Sequence, residues 1–156
     1  MDTFRILEAY KLVDIEKVRK LLWDYGQSRN FDSALGDFQN ELDNLPYRYD
    51  RPSGCLLLAE NEEGAIGCVA YQALSEGCCE MKRLYVDPKY RGLKMGRKLI
   101  LAICQEAKLS GYKYMRLDTF KHFHSAINAY EKAGFYAIPP YQKYGADNVL
   151  FFEKKL

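Results

Sequence analysis

The chain has 156 residues, of which 48% are hydrophobic and 28% charged, with a formal net charge of +2. That length suits one packed core in one domain spanning residues 1–156. So small a net charge argues against partners held by bulk charge alone, so neither nucleic acid nor a membrane is expected. No apolar run approaches the ~18 residues of a membrane-crossing helix, and MDTFRILEAYKLVD lacks the basic-then-apolar layout of a signal peptide, so cytoplasmic residence is the expectation.

Phe4 to Ala9 alternates and should form a strand. Asp14 can cap a helix whose apolar residues Ile15, Val18, Leu21, Leu22 and Tyr25 share one face. A second helix is expected from about Ser33 to Leu45, with Leu35, Phe38, Leu42 and Leu45 on one side and Pro46 ending it. CLLLAENEEGAIGCVAYQAL is a hairpin pattern turning at Asn61–Gly64, and CCEMKRLYV, Cys78 to Val86, is a further strand. A long helix follows from about Lys94 to Ser110, with Gly96, Leu99, Ile100, Ile103 and Ala107 inward and Gly111 placed to terminate it. YKYMRLDTF is a strand, FHSAINAYEKAG a short helix stopped by Gly134, and FYAI and VLFFEK are the last strands.

The order is β-α-α-β-β-β-α-β-α-β-β. The strand–helix–strand unit around residues 78–119 needs a crossover, so its strands should be parallel, while the hairpin is antiparallel. The expectation is an α/β fold with a mixed sheet and helices on its faces. An edge at the C-terminal strand, Val149 to Glu153, would invite pairing into a homodimer. The five cysteines form no C-x-x-C pair, so buried free thiols are expected and no metal. Cys78 and Cys79 should face opposite sides of their strand.

The chemistry gathers at YVDPKYRGLKMGRKLI. A helix start leaves backbone N–H groups unpaired and carries partial positive charge. Arg91, Lys94, Arg97 and Lys98, with Gly92 and Gly96, therefore suit a phosphate ligand. A solvated helix end is the alternative, although cations in a first turn oppose the helix dipole. The spacing is neither that of a P-loop nor that of a dinucleotide fingerprint.

EMKRLYVDPKYRGLKMGRKLI, followed by LDTF and AINAYEKAGF, resembles the GNAT superfamily of N-acetyltransferases, most clearly over residues 78–138. The family's acetyl-CoA loop is Gln/Arg-x-x-Gly-x-Gly/Ala; Arg91 and Gly96 match its ends, and Lys94 replaces the middle glycine. The resemblance implies a sheet of about seven strands with about four helices. It implies acetyl-CoA as co-substrate, bound by Leu84, Tyr85, Val86, Arg91, Gly92, Leu93, Lys94, Met95, Gly96, Arg97 and His124. Val86 N–H would stabilise the thioester oxygen, and Tyr130 would protonate the departing sulfur. Tyr130 also suits packing on the inner helix face, and both roles fit one aromatic side chain. Glu80 matches a carboxylate that accepts the amine's proton in many members; an ion-paired strand residue is the alternative. His124 stands near a family asparagine that contacts the cofactor, and otherwise is a surface or capping histidine.

The acceptor side would draw on the first two helices and the last loop, which offer Trp23, Tyr25, Tyr47, Tyr49, Tyr141 and Tyr144, with Arg29, Arg48 and Arg51 nearby. A small-molecule amine is the expected acceptor. A protein amine, or a non-catalytic acyl-CoA-binding module, is the alternative.

Overall fold

A computed structural model describes residues 3–92, 94–143 and 147–156. Seven strands form one mixed sheet: β1 (Arg5–Glu8), β2 (Cys55–Asn61), β3 (Gly64–Ser75), β4 (Cys78–Val86), β5 (Tyr114–Phe120), β6 (Tyr136–Ile138) and β7 (Val149–Lys155), ordered β1-β2-β3-β4-β5-β7-β6. Only β4 and β5 pair in parallel among the described strands. The crossover between them is α3 (Met95–Leu109).

The sheet is covered on both faces. On one, α3 buries Leu99, Ile100 and Ile103 completely in a core shared with Met115, Leu117 and Phe152, and α4 (His124–Lys132) adds Tyr130. On the other, α1 (Leu12–Ser28) and α2 (Phe38–Asp43) pack Val18, Leu22 and Phe38 over Leu56 and Leu58. Each fully buried Leu or Ile contributes roughly 1.5–3 kcal/mol, so these two layers carry much of the folding free energy.

Three sequence expectations change. The helix foreseen from Ser33 to Leu45 is a 3-10 turn at Ser33–Leu35 followed by the short α2. Gly36, at φ +63°, separates them with a backbone an ordinary residue rarely adopts. Leu35, Phe38, Leu42 and Leu45 are nonetheless all buried, so periodicity located the apolar face but not the break. Asp14 is no cap: α1 starts at Leu12 after Lys11, and Asp14 sits buried in its first turn. Finally, β7 is not an edge. It pairs with β5 on one side and β6 on the other, leaving three-residue β6 outermost.

Two irregularities in β4 shape the middle of the sheet. Opposite β3, the pairing steps from Cys68–Tyr85 to Ala70–Lys82, so β4 holds one extra residue there. This bulge, at Arg83 and Leu84, reverses which face each side chain meets. Before it Cys79 and Met81 face α3; after it Leu84 and Val86 do, and Tyr85 turns to the α1 side. Toward β5, pairing runs from Cys78–Tyr114 to Glu80–Arg116 and stops, although both strands continue. The strands splay apart beyond Glu80.

Candidate active site

A cleft of about 1500 Å³ opens at that splay. Leu84, Tyr85 and Val86 form one wall, and the turn carrying Arg91, Gly92, Lys94, Met95, Gly96 and Arg97 closes one end. His124, the first residue of α4, lines the opposite wall with Ala126 and Asn128. Leu93 lies outside the described residues, as does Tyr144.

The turn is built by local rules. Asp87 accepts a bond from Lys89 N–H at 2.9 Å and starts the 3-10 turn Pro88–Tyr90. Gly92 follows at φ +85°. Lys94 then takes the N-cap position of α3 at φ +60°, with no side-chain cap and no acidic residue in the first turn. The left-handed backbone is therefore used where the family loop has glycine, and lysine accepts a strain on the order of 1–2 kcal/mol. Met95 is buried and anchors the helix start. Gly96 is open above: a Cβ there would meet only Val86 Cγ2 at 4.0 Å. Lys98 turns away, its ammonium 4.6 Å from the centre of the Phe4 ring.

Asp87 N–H donates to Ile66 O on β3 at 2.8 Å. Successive strand amides alternate, so Val86 N–H points the other way, into the splay. Its carbonyl does too, and accepts Arg91 Nε at 3.0 Å. The Arg91 guanidinium lies 5.6 Å from the centre of the Tyr85 ring.

Tyr130 is buried and meets Phe135 edge-on at 5.9 Å. Burial pushes its phenol well above the ordinary value, and Tyr25 and Asp118 push it further. Tyr25 packs against the core on the opposite face of the sheet. Glu80 is 1% exposed and lies behind the wall. Its carboxylate accepts bonds from Gln72 Nε2 at 3.0 Å, Tyr141 OH at 2.8 Å and Gln142 Nε2 at 3.0 Å, with Lys82 Nζ at 3.8 Å. Tyr141 rests on Phe151, ring centres 5.0 Å apart, with the Arg116 guanidinium over its ring.

The aromatic and basic residues expected around the acceptor divide. Tyr25 and Arg29 line the cleft. Arg29 donates to the Tyr25 hydroxyl at 2.6 Å and forks onto Asp32 at 2.9 and 3.0 Å. Its guanidinium also lies 5.0 Å from the centre of the Phe120 ring, which stacks on His122. Tyr49 is instead core, Trp23 packs on Phe31 at 40% exposure, and Arg51 joins Glu8 and Glu106 elsewhere. Phe120 and Arg83 were not singled out by sequence; the alternation broken at Lys82-Arg83-Leu84 was the available signal for the latter.

All five cysteines are free and buried. Burial raises each thiol, to about 12 for Cys55 and Cys68 and about 11 for Cys104.

Comparison with known proteins places this architecture. The acetyltransferase (GNAT) family matches residues 15–135. An uncharacterized N-acetyltransferase of Schizosaccharomyces pombe is 37% identical over 153 residues, covering 96% of this chain and 94% of its own. A GNAT-family acetyltransferase from Staphylococcus aureus Mu50 superposes with a TM-score of 0.80 at 25% identity, covering 98% of this chain and 99% of its own. The PaiA N-acetyltransferase of Thermoplasma acidophilum, solved with coenzyme A, shares the fold at a TM-score of 0.77 and 18% identity, covering 99% of each chain. The chain belongs to the GNAT family of acetyltransferases. Its reaction class is acyl transfer to nitrogen.

Proposed function

We propose that this protein transfers an acetyl group from acetyl-CoA to the primary amine of a small molecule, by direct attack in a ternary complex. The observation that carries this is one cleft joining an unpaired strand edge to a basic, uncapped helix start. The amides of the pantetheine arm pair with the free edge of β4 as another strand would. The pyrophosphate sits at the N-terminus of α3, with Arg91, Lys94 and Arg97 adding charge. Arg91 releases the Val86 carbonyl to reach it.

The Val86 N–H, aimed into the splay, donates to the thioester oxygen as negative charge develops there. Tyr130 supplies the proton to the departing sulfur; its raised phenol stays protonated and available as an acid. Glu80 takes the proton lost by the amine. Being 1% exposed, it receives that proton through the bound Tyr141 hydroxyl or through water. Tyr141 and Gln142 lie across Glu80, and this closed approach supports a small acceptor over a protein surface.

Calorimetric titration with acetyl-CoA, followed by release of the CoA thiol against a panel of primary amines, tests the proposal. Sub-millimolar binding with thiol release on a small amine is expected. Absence of binding at that concentration removes it. Binding with no turnover, and Tyr130→Phe matching the unaltered protein, points to a non-catalytic acyl-CoA module instead.

A further inference from the structure

Arg83 takes a left-handed backbone, φ +61°, inside β4. That conformation suits glycine and resists a residue with a Cβ, so something must hold it. The side chain shows what does. Arg83 Nε and Nη2 donate to the two oxygens of Glu41, both at 2.8 Å, with side chains only 8% and 5% exposed. The guanidinium lies 5.1 Å from the centre of the Phe38 ring. Glu41 and Phe38 both belong to α2, none of whose residues lines the cleft.

The bulge at Arg83 is what turns Leu84 and Val86 toward the α3 side and Tyr85 toward the α1 side, so that all three line the cleft. A planar fork gripping a planar carboxylate fixes direction as well as distance, which a lysine cannot do. We infer that Glu41 and Arg83 are a positioning pair: their buried ion pair holds β4 in its bulged form, and so sets the backbone of Leu84–Val86 that receives the acyl-carrier arm. The inference rests on the acyl-CoA reading of the cleft. The pair touches no substrate and acts through the strand.

A merely structural pair would dock α2 and leave arm recognition alone. Coenzyme A and its armless fragment, adenosine 3′,5′-bisphosphate, separate the two roles when each is titrated calorimetrically. Glu41→Gln should weaken coenzyme A by about 5–10-fold, leave the fragment unchanged and keep the native circular dichroism. Two double variants, both free of buried charge, isolate the backbone. Arg83→Gly with Glu41→Leu should bind coenzyme A within about 3-fold of the unaltered protein, because glycine accepts the bulge unaided. Arg83→Val with Glu41→Leu should lose about 10-fold or more, because a β-branched residue resists that backbone. Arg51→Lys, in a separate ion-pair cluster, should leave coenzyme A binding unchanged.

Equal affinity of the two double variants overturns the inference, as does parallel loss of coenzyme A and fragment. Unchanged coenzyme A binding by folded Glu41→Gln also overturns it. If the unaltered protein fails to bind coenzyme A, the acyl-CoA reading falls and takes this inference with it; binding that ignores all the variants removes the inference alone.

Discussion

The turn between β4 and α3 and the pocket around Glu80 draw on one strand, yet they hold charge in opposite ways. Arg91, Lys94 and Arg97 are exposed, and none of the ion pairs among the described residues uses them. Glu80 is sealed under Tyr141 and Gln142, and nearby Arg83 is locked to Glu41. Open cations keep their hydration until a ligand anion arrives, so they favour binding at little expense to the fold. Closed charges must be partnered at every position, because an unpaired buried charge is severely unfavourable. Damage to the two regions should therefore appear in different measurements.

The largest effect belongs to the closed region. Glu41→Ala leaves the Arg83 guanidinium buried without its partner and should destabilise the fold by about 3–5 kcal/mol in denaturant titrations. A loss below about 1 kcal/mol would mean that the pair is less shut off from water than its burial indicates. Tyr130→Phe comes next: kcat should fall about 100-fold with acetyl-CoA affinity unchanged. The raised phenol of Tyr130 also fixes a sign. Its protonated form persists as pH climbs past the ordinary tyrosine range, so it should add no alkaline fall in rate below about pH 10. An alkaline limb that vanishes in Tyr130→Phe would contradict this.

In the open region the effects are smaller and fall on binding. Arg91→Ala should weaken acetyl-CoA by about 1–3 kcal/mol, with the thermal midpoint unmoved. An unchanged dissociation constant would place the pyrophosphate elsewhere. Gly96→Ala sharpens the contrast most. Outside its own helix, a methyl group there meets no protein atom closer than 4.0 Å, so helix propensity should raise stability by up to about 1 kcal/mol while acetyl-CoA affinity stays within about 3-fold, as a Gly/Ala loop position implies. A loss of about 10-fold or more in that variant would show that the cofactor packs directly on the Gly96 backbone.

The same division explains how far the sequence could be read. The glycine turn was legible because a helix start, a left-handed glycine and a run of cations are local facts, and all fall within a few residues. The parallel pairing of β4 and β5 was legible from the crossover rule, since a strand–helix–strand unit from Cys78 to Phe120 favours it strongly. The bulge was not, because whether Arg83 bends the strand depends on Glu41, far away in sequence. Nor was the sealing of Glu80, which is decided by Tyr141 and Gln142 arriving from the last loop. The C-terminal strand was expected to lie at an edge of the sheet. Instead it inserts between β5 and β6, and chain order alone does not reveal an insertion.

The five interior cysteines have a practical consequence at the bench. With Cys55 and Cys68 raised to about 12, only a trace of thiolate exists near neutrality, and the folded interior shields that trace. A colorimetric disulfide reagent added to the working catalyst should thus register liberated coenzyme A against an almost silent protein background. The same chemistry makes unfolding self-reporting: five thiols should become reactive together as the core opens, and the colour they release would time its collapse.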